Sequence, residues 1–273
     1  MHQRLRTAWI SDIHLGTRGA QTASLLHFLK CHDFDTLYIV GDLLDVWSLR
    51  RGIYWPQEHN DVIQKILRAA RKGTRVIYIP GNHDEFVSDY HGEFGGITIQ
   101  PNAIHTTADG RRLLVMHGHE LDAVMKGARW LAHIGDIGYQ FLLKCNRPLN
   151  WVRRLFSLGY WSLSAFAKKK VKGAVNYVGK FEEGIARFSL EAKTDGVVCG
   201  HIHVPIIRDL PSTTYYNCGD WVESCSALVE HYDGRIELLV GWHEPERIIP
   251  MPPPPTVSLA EFEAVGKRGQ ASA

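Results

Sequence analysis

Five short clusters in this 273-residue chain combine residue types that bind metal ions. They are Asp12-Ile13-His14, Gly41-Asp42-Leu43-Leu44-Asp45, Gly81-Asn82-His83-Asp84, His117-Gly118-His119 and Gly200-His201-Ile202-His203. A D-x-H or H-x-H pair at the end of a strand puts both side chains on one side of the chain. Carboxylate, imidazole and amide oxygen suit a divalent ion such as Mn, Fe or Zn, and no thiolate is demanded. Glycine beside the ligands lets the backbone turn sharply and approach an ion. Asp42, at a Gly-Asp turn, could bridge two ions. Singly the clusters say little: an H-x-H is more often two ordinary histidines, and an aspartate after a strand is often a helix N-cap. Five of them in order, each directly after an apolar strand, point to metal binding.

The elements that must position these residues follow from the apolar pattern. Residues 7–10, 36–40 and 76–79 read as near-continuous apolar strands, with helix-compatible stretches at 20–31 and 57–72 between them. That alternation predicts an α/β sandwich whose strands are buried on both faces. Ligands of such sheets sit at the carboxyl ends of the strands, where the clusters stand. Beyond residue 96, short strands are expected at 97–99, 112–116, 197–199, 205–208, 214–216, 227–230 and 235–240, several joined by tight turns such as Asp109-Gly110. They predict a second sheet with much antiparallel pairing. Residues 121–192 read as a helical insertion within a domain spanning 1–249, and the proline run at 252–255 belongs to a tail, 250–273.

Hydrophobic residues make up 45% and charged residues 22%, which excludes global disorder. The formal charge of +2 is unevenly spread. Segment 125–175 holds ten lysines and arginines against Asp136 alone, so it carries +9 and leaves −7 for the rest. Eight aromatic residues are interleaved with those cations. Five cysteines without CxxC spacing read as buried thiols of a reducing compartment. No apolar run of signal-peptide length opens the chain, and the longest apolar stretch, 155–167, is too short to span a bilayer. We expect a cytoplasmic protein that could lie on a membrane surface.

Taken together, D-x-H, G-D-x-x-D, G-N-H-D, H-G and G-H-x-H in this order resemble the calcineurin-like metallophosphoesterase superfamily, over roughly residues 6–243. The resemblance implies a four-layer αββα sandwich of two mixed sheets with a two-metal site at the sheet ends. It implies one ion on Asp12, His14, Asp42 and His203, and another on Asp42, Asn82, His117 and His201. His83 would act on the phosphate or the leaving oxygen, with Asp84 orienting its ring. Two ions in such a site activate water and clamp phosphoryl oxygens. Manganese is implied first, with Fe, Zn or Mg as alternatives.

A closer resemblance is to the UDP-2,3-diacylglucosamine pyrophosphatases of lipid A synthesis and their relatives. It is carried by residues 10–16, 41–47, His117-Gly118 with Asp122 shortly after, and 217–221, and within that group by Gly16-Thr17-Arg18 and 220–225. Two positions depart from it. Those pyrophosphatases usually carry arginine where this chain has His83 and aspartate where it has His119, histidine at 83 being the general superfamily state. The substrate that the resemblance implies is UDP-2,3-diacylglucosamine or a similar lipid-linked nucleoside diphosphate. Arg18, Asp122, Arg153, Arg154, Lys168, Lys169 and Lys172 are the candidate contacts. Basic and aromatic residues interleaved in 125–175 suit anionic head groups and acyl chains. A plain helical cap with solvated lysines is the simpler explanation. Single-stranded nucleic acid, bound by a phosphodiesterase or nuclease, is the rival and disfavoured partner. A scaffold that had lost its chemistry would be expected to have lost ligands, and all seven positions hold suitable types.

Overall fold

The computed structural model describes residues 3–121 and 172–242, with side chains in the second stretch from Phe181 onward. Its first half alternates strand and helix: β1 (Gln3–Ile10), α1 (Thr22–Cys31), β2 (His32–Val40), α2 (Val46–Arg51), α3 (Gln57–Arg71) and β3 (Arg75–Ile79). A 3-10 turn (Glu85–Asp89) leads to β4 (Gly92–Phe94), β5 (Ile97–Ile99), β6 (Ala103–Thr106) and β7 (Arg112–Val115). Helix α4 (Lys172–Ala192) is followed by β8 (Gly196–Cys199), β9 (Ile206–Leu210), β10 (Thr213–Asn217), β11 (Ala227–Glu230) and β12 (Ile236–Leu239).

The strands form one sheet in the order β12-β11-β1-β2-β3-β5-β4 and another in the order β6-β7-β8-β10-β9. In the first, β1, β2, β3 and β5 are parallel and the flanking strands antiparallel. In the second, β7, β8 and β10 are parallel between antiparallel edges. This corrects the expected division of the chain. Strands β5, β11 and β12 join the first sheet, and the second has as many parallel as antiparallel pairs among the described residues. The apolar pattern does not mark strands β4 and β6, because Gly92–Phe94 is exposed and β6 buries His105 while exposing Ile104.

Period-two alternation sorts each central strand into two cores. Ala8, Ile10, Leu37, Ile39, Val76 and Tyr78 pack with Leu25, Phe28, Leu29, Val62 and Ile66 of α1 and α3. Their neighbours Trp9, Tyr38, Val40, Ile77 and Ile79 pack with Leu113, Val115, Val198 and Tyr216 of the second sheet. Leu114, Met116, Val197, Cys199 and Tyr215 point the other way, onto Phe181 and Ile185 of α4. Three apolar interfaces make a four-layer αββα sandwich. Helix α4 therefore supplies an outer layer of the body, although its residues were expected in an insertion. The expected tail lies outside the described residues, as does the basic-aromatic stretch up to residue 171.

A buried polar knot fastens the two sheets. Glu230 of β11 accepts from Arg6 Nη1 at 2.6 Å, Thr7 Oγ1 at 2.8 Å and the Ala108 amide at 2.7 Å. Its Oε2 also lies 2.9 Å from His105 Nε2 on β6. Glu230 is fully buried, and such a carboxylate is tolerated because each lone pair meets a donor.

Candidate metal centre

The ends of six parallel strands, three from each sheet and β5 not among them, carry the candidate residues. The loops that leave them carry Asp12 and His14 (after β1), Asp42 and Asp45 (β2), and Asn82, His83 and Asp84 (β3). From the second sheet come His117 and His119 (β7), His201 and His203 (β8), and Asp220 (β10). The backbone is bent hard to bring them together. Asp12, His14, Asp42, His201 and His203 all have left-handed φ, between 51° and 66°. Non-glycine residues pay a conformational penalty there, which clusters at functional sites.

The side chains converge. His203 Nε2 lies 3.2 Å from Asp12 Oδ1, and His117 Nε2 lies 3.4 Å from Asp42 Oδ2. His14 Nε2 stands 3.8 Å from Asp42 Oδ2 and 3.9 Å from Asp12 Oδ1. Asp42 Oδ2 thus faces the D-x-H side and the H-G side at once, while its Oδ1 accepts the His83 amide at 2.9 Å. The His201 ring lies beside His117, centroids 5.2 Å apart, and its amide donates to Asp12 Oδ2 at 2.9 Å. Gly81 makes room: a Cβ there would run into the Asp42 carboxylate and His117 Nε2.

Charge follows the geometry. Burial alone would raise the Asp12 carboxyl, but His203 and His117 outweigh it and hold it at about 2. Burial opposes protonation of His117, yet Asp42 and Asp12 push it up to about 10. Burial would also raise Asp42, and His117 and His14 hold it far below the carboxylate range. Buried anions here call for positive charge.

A family profile described as Calcineurin-like phosphoesterase matches residues 5–205. The chain belongs to the calcineurin-like phosphoesterase family. Among curated relatives, UDP-2,3-diacylglucosamine hydrolase of Shewanella halifaxensis (strain HAW-EB4) is 26% identical over 239 residues, covering 86% of this chain and 98% of its own. That of Xanthomonas campestris pv. campestris (strain ATCC 33913) is 28% identical over 246 residues, covering 84% and 97%. That of Escherichia coli O7:K1 (strain IAI39 / ExPEC) is 26% identical over 224 residues, covering 76% and 85%.

As a calcineurin-like phosphoesterase, the protein is a metal-dependent phosphoester hydrolase, and the family implies a pair of divalent ions. The donor set fits them. Asp12 Oδ1, His14 Nε2, Asn82 Oδ1 and His117 Nε2 are buried and make no hydrogen bond, and their positions are those expected of ligands. Polar atoms left so are costly unless something else satisfies them. Three of the four candidate imidazoles also have an acceptor behind them. His117 Nδ1 lies 2.9 Å from the Val40 carbonyl, His14 Nδ1 3.4 Å from Asp45 Oδ2, and His203 Nδ1 3.9 Å from Asp220 Oδ2. The Val40 hydrogen bond fixes the His117 tautomer that leaves Nε2 for a metal, and the two carboxylates favour the same arrangement at His14 and His203 by charge alone.

Asp84 does not orient His83. It is fully buried and spends its oxygens on the loop: Oδ1 accepts the Gly81 amide at 2.6 Å, and Oδ2 accepts the Leu44 amide and the Tyr78 hydroxyl. Burial first, then Asp42, raises its carboxyl. The His83 ring leans on Asp45 instead, with Nδ1 3.2 Å from Oδ1 though off the line of a hydrogen bond. It also packs on Trp47 at 4.1 Å and edge-on to His14 at 4.6 Å between centroids. Asp45 additionally caps α2 by accepting the Ser48 amide at 2.7 Å. In the sequence, only the spacing of Asp45 from Asp42 signals a role for it.

His119 sits beside His117 and faces Glu120 Oε2 at 3.6 Å, and burial lowers its pKa. Arg18 is exposed and lays its guanidinium 4.5 Å over the Tyr54 ring, so the structure gives it a structural partner. Asp122, Arg153, Arg154, Lys168 and Lys169 lie outside the described residues, as does the Lys172 side chain. A cleft of about 370 Å³ opens next to His83, lined by Trp47, Arg50, Asn82, Glu85 and Phe86 among others.

Proposed function

We propose that this phosphoesterase hydrolyses the diphosphate of UDP-2,3-diacylglucosamine or a similar lipid-linked nucleoside diphosphate. Two divalent ions, manganese by preference, would be held by Asp12, His14, Asp42 and His203 on one side and Asp42, Asn82, His117 and His201 on the other. The observation that carries the hydrolytic centre is the set of buried, unpaired donor atoms converging from both sheets. The names of relatives aligned over 84–86% of this chain support the substrate. When bound, the ions supply an activated water and neutralise phosphoryl charge.

The chain's own residues do the rest. The bent loops bring Asp12, His14, Asp42, His117 and His203 together before substrate arrives, so little reorganisation would be needed at the moment of reaction. The Asp45 carboxylate beside Nδ1 favours a charged His83, whose Nε2 would hold a proton near the leaving oxygen. Trp47 and Phe86 offer apolar wall beside that ring, and Arg50 a cation. Segment 125–175 would meet the acyl chains and phosphates through Arg153, Arg154, Lys168, Lys169 and Lys172. Among the described residues no helix is long and apolar enough to cross a membrane. Our reading puts the protein in the cytoplasm, peripheral to the inner face of the membrane where a lipid-linked substrate is met.

One observation favours a second reading. A diphosphate leaves as phosphate, which needs charge neutralisation more than a proton, whereas an alkoxide leaving group needs a general acid. The Asp45–His83 contact is built for the latter, as in hydrolysis of a nucleotide or nucleic-acid phosphodiester. A manganese-loaded hydrolysis panel separates the two: UDP-2,3-diacylglucosamine, other nucleoside diphosphate sugars, and oligonucleotides. His83→Ala and charge neutralisation of Lys168–Lys172 serve as variants. The lipid-linked reading expects the first substrate to lead, and to lose turnover when the lysines are neutralised. Oligonucleotide turnover that leads the panel and collapses in His83→Ala would reverse the order of the two readings.

A further inference from the structure

Asp220 lies outside the five metal-binding clusters, on the loop after β10. It is buried, and its two oxygens divide their contacts. Oδ1 accepts the amides of Val222, Glu223 and Ser224, and so closes a turn. Oδ2 accepts the Ser224 hydroxyl at 3.0 Å and faces His203 Nδ1 at 3.9 Å. The turn is strapped in place. The Trp221 amide donates to the Asp12 carbonyl at 3.0 Å, the Ser226 amide to the Asp220 carbonyl at 3.1 Å, and the Trp221 ring is buried against Phe28. Closing the turn requires only Oδ1, which leaves Oδ2 available to the histidine.

We propose that Asp220 is a positioning residue of the metal centre: it keeps the His203 proton on Nδ1, presents Nε2 to the ion, and makes the Asp12–His14–Asp42–His203 subsite the tighter of the two. The proposal rests on the two-ion reading given above. That subsite holds two carboxylates, and both its histidines have a carboxylate behind them, Asp45 and Asp220. The other shares Asp42 and adds neutral Asn82, His201 and a His117 backed by a neutral carbonyl, so it holds one carboxylate ligand against two. Affinity for a divalent ion rises with ligand charge, and a carboxylate behind a ligating imidazole raises its basicity.

The test is a Mn²⁺ titration of the metal-free full chain, followed by calorimetry and electron paramagnetic resonance. The expected result is ordered filling: an isolated-ion spectrum at one equivalent, and the coupled-pair spectrum only beyond it. Asp220→Asn keeps an oxygen for the turn amides but turns an NH₂ toward His203, which favours the wrong tautomer. It should weaken the tighter constant about 10- to 100-fold, leave the weaker constant unchanged, and leave the melting temperature of the metal-free protein unchanged. Equal affinities in the wild type would overturn the proposal. So would an Asp220→Asn protein with both constants unchanged or both equally weakened. If that variant does not fold, the order of filling in the wild type decides. Wild-type protein that binds no Mn²⁺ at all would overturn the two-ion reading itself, which is a separate result from equal binding.

Discussion

Asp45 shows how one side chain can couple two tasks. One oxygen faces His14, placed among the ligands, and the other faces His83, placed beside the leaving group. Burial opposes its ionisation, but His14, His83 and the Ser48 amide hold the carboxyl well below the usual range. Asp45→Asn retains an acceptor for the α2 cap and removes the charge shared by the two rings. We expect kcat to fall about 10- to 100-fold with the fold intact, checked by steady-state kinetics alongside circular dichroism. Unchanged kcat would show that His83 and His14 hold their places without it. At this scale the candidate donors were legible in the sequence, because five clusters repeat one chemistry after each strand. The partners behind the ligands were not. Asp84 follows His83 directly and invited a pairing, yet its carboxylate turns back to Gly81, Leu44 and Tyr78. Which neighbour a carboxylate serves is set by loop geometry, and the left-handed backbone at Asp12, His14, Asp42, His201 and His203 leaves no trace in residue type.

Between elements, the Glu230 knot is the clearest determinant of how the sheets meet. It joins β1 and β11 of one sheet to β6 and the Ala108 amide of the other. Burial opposes ionisation of Glu230, but His105, the Ala108 amide and Thr7 outweigh it and lower its pKa. A lowered carboxylate contributes stability that is present above its unfolded value and is lost as pH falls through the folded value. Glu230→Gln should therefore destabilise the protein by about 3 kcal/mol at neutral pH, as breaking a buried pair does. The difference should shrink below the ordinary carboxylate range of about pH 4, where wild-type Glu230 also takes up a proton. Urea denaturation at several pH values measures both, and a pH-independent difference would contradict the assignment. The parallel strands and helices α1 and α3 were legible from apolar runs and period. The sheet membership of β5 and β11 was not, since short strands of similar composition can extend either sheet, and contacts remote in sequence decide which.

For the whole molecule, the four layers converge six strand ends on one buried acidic centre. Ions that bind only the folded state add to its stability by mass action. Saturation at about 100 times the dissociation constant contributes about 2.7 kcal/mol per ion. Chelation of both ions should lower the melting temperature by about 10 to 20 °C for a domain of this size, and Mn²⁺ should restore it. Differential scanning calorimetry reads this directly, and an unchanged melting temperature would mean that the centre binds no ion of consequence. The uneven charge, +9 in segment 125–175 against −7 elsewhere, fits a hydrolase that meets its substrate at an anionic surface. The most direct test of that account is hydrolysis of UDP-2,3-diacylglucosamine by the manganese-loaded protein, followed by release of UMP. We expect equal amounts of UMP and diacylglucosamine 1-phosphate, abolished by chelation, with kcat/KM about 100-fold or more above that for oligonucleotides. Absence of UMP release, from protein that cleaves a phosphodiester under the same conditions, would contradict it.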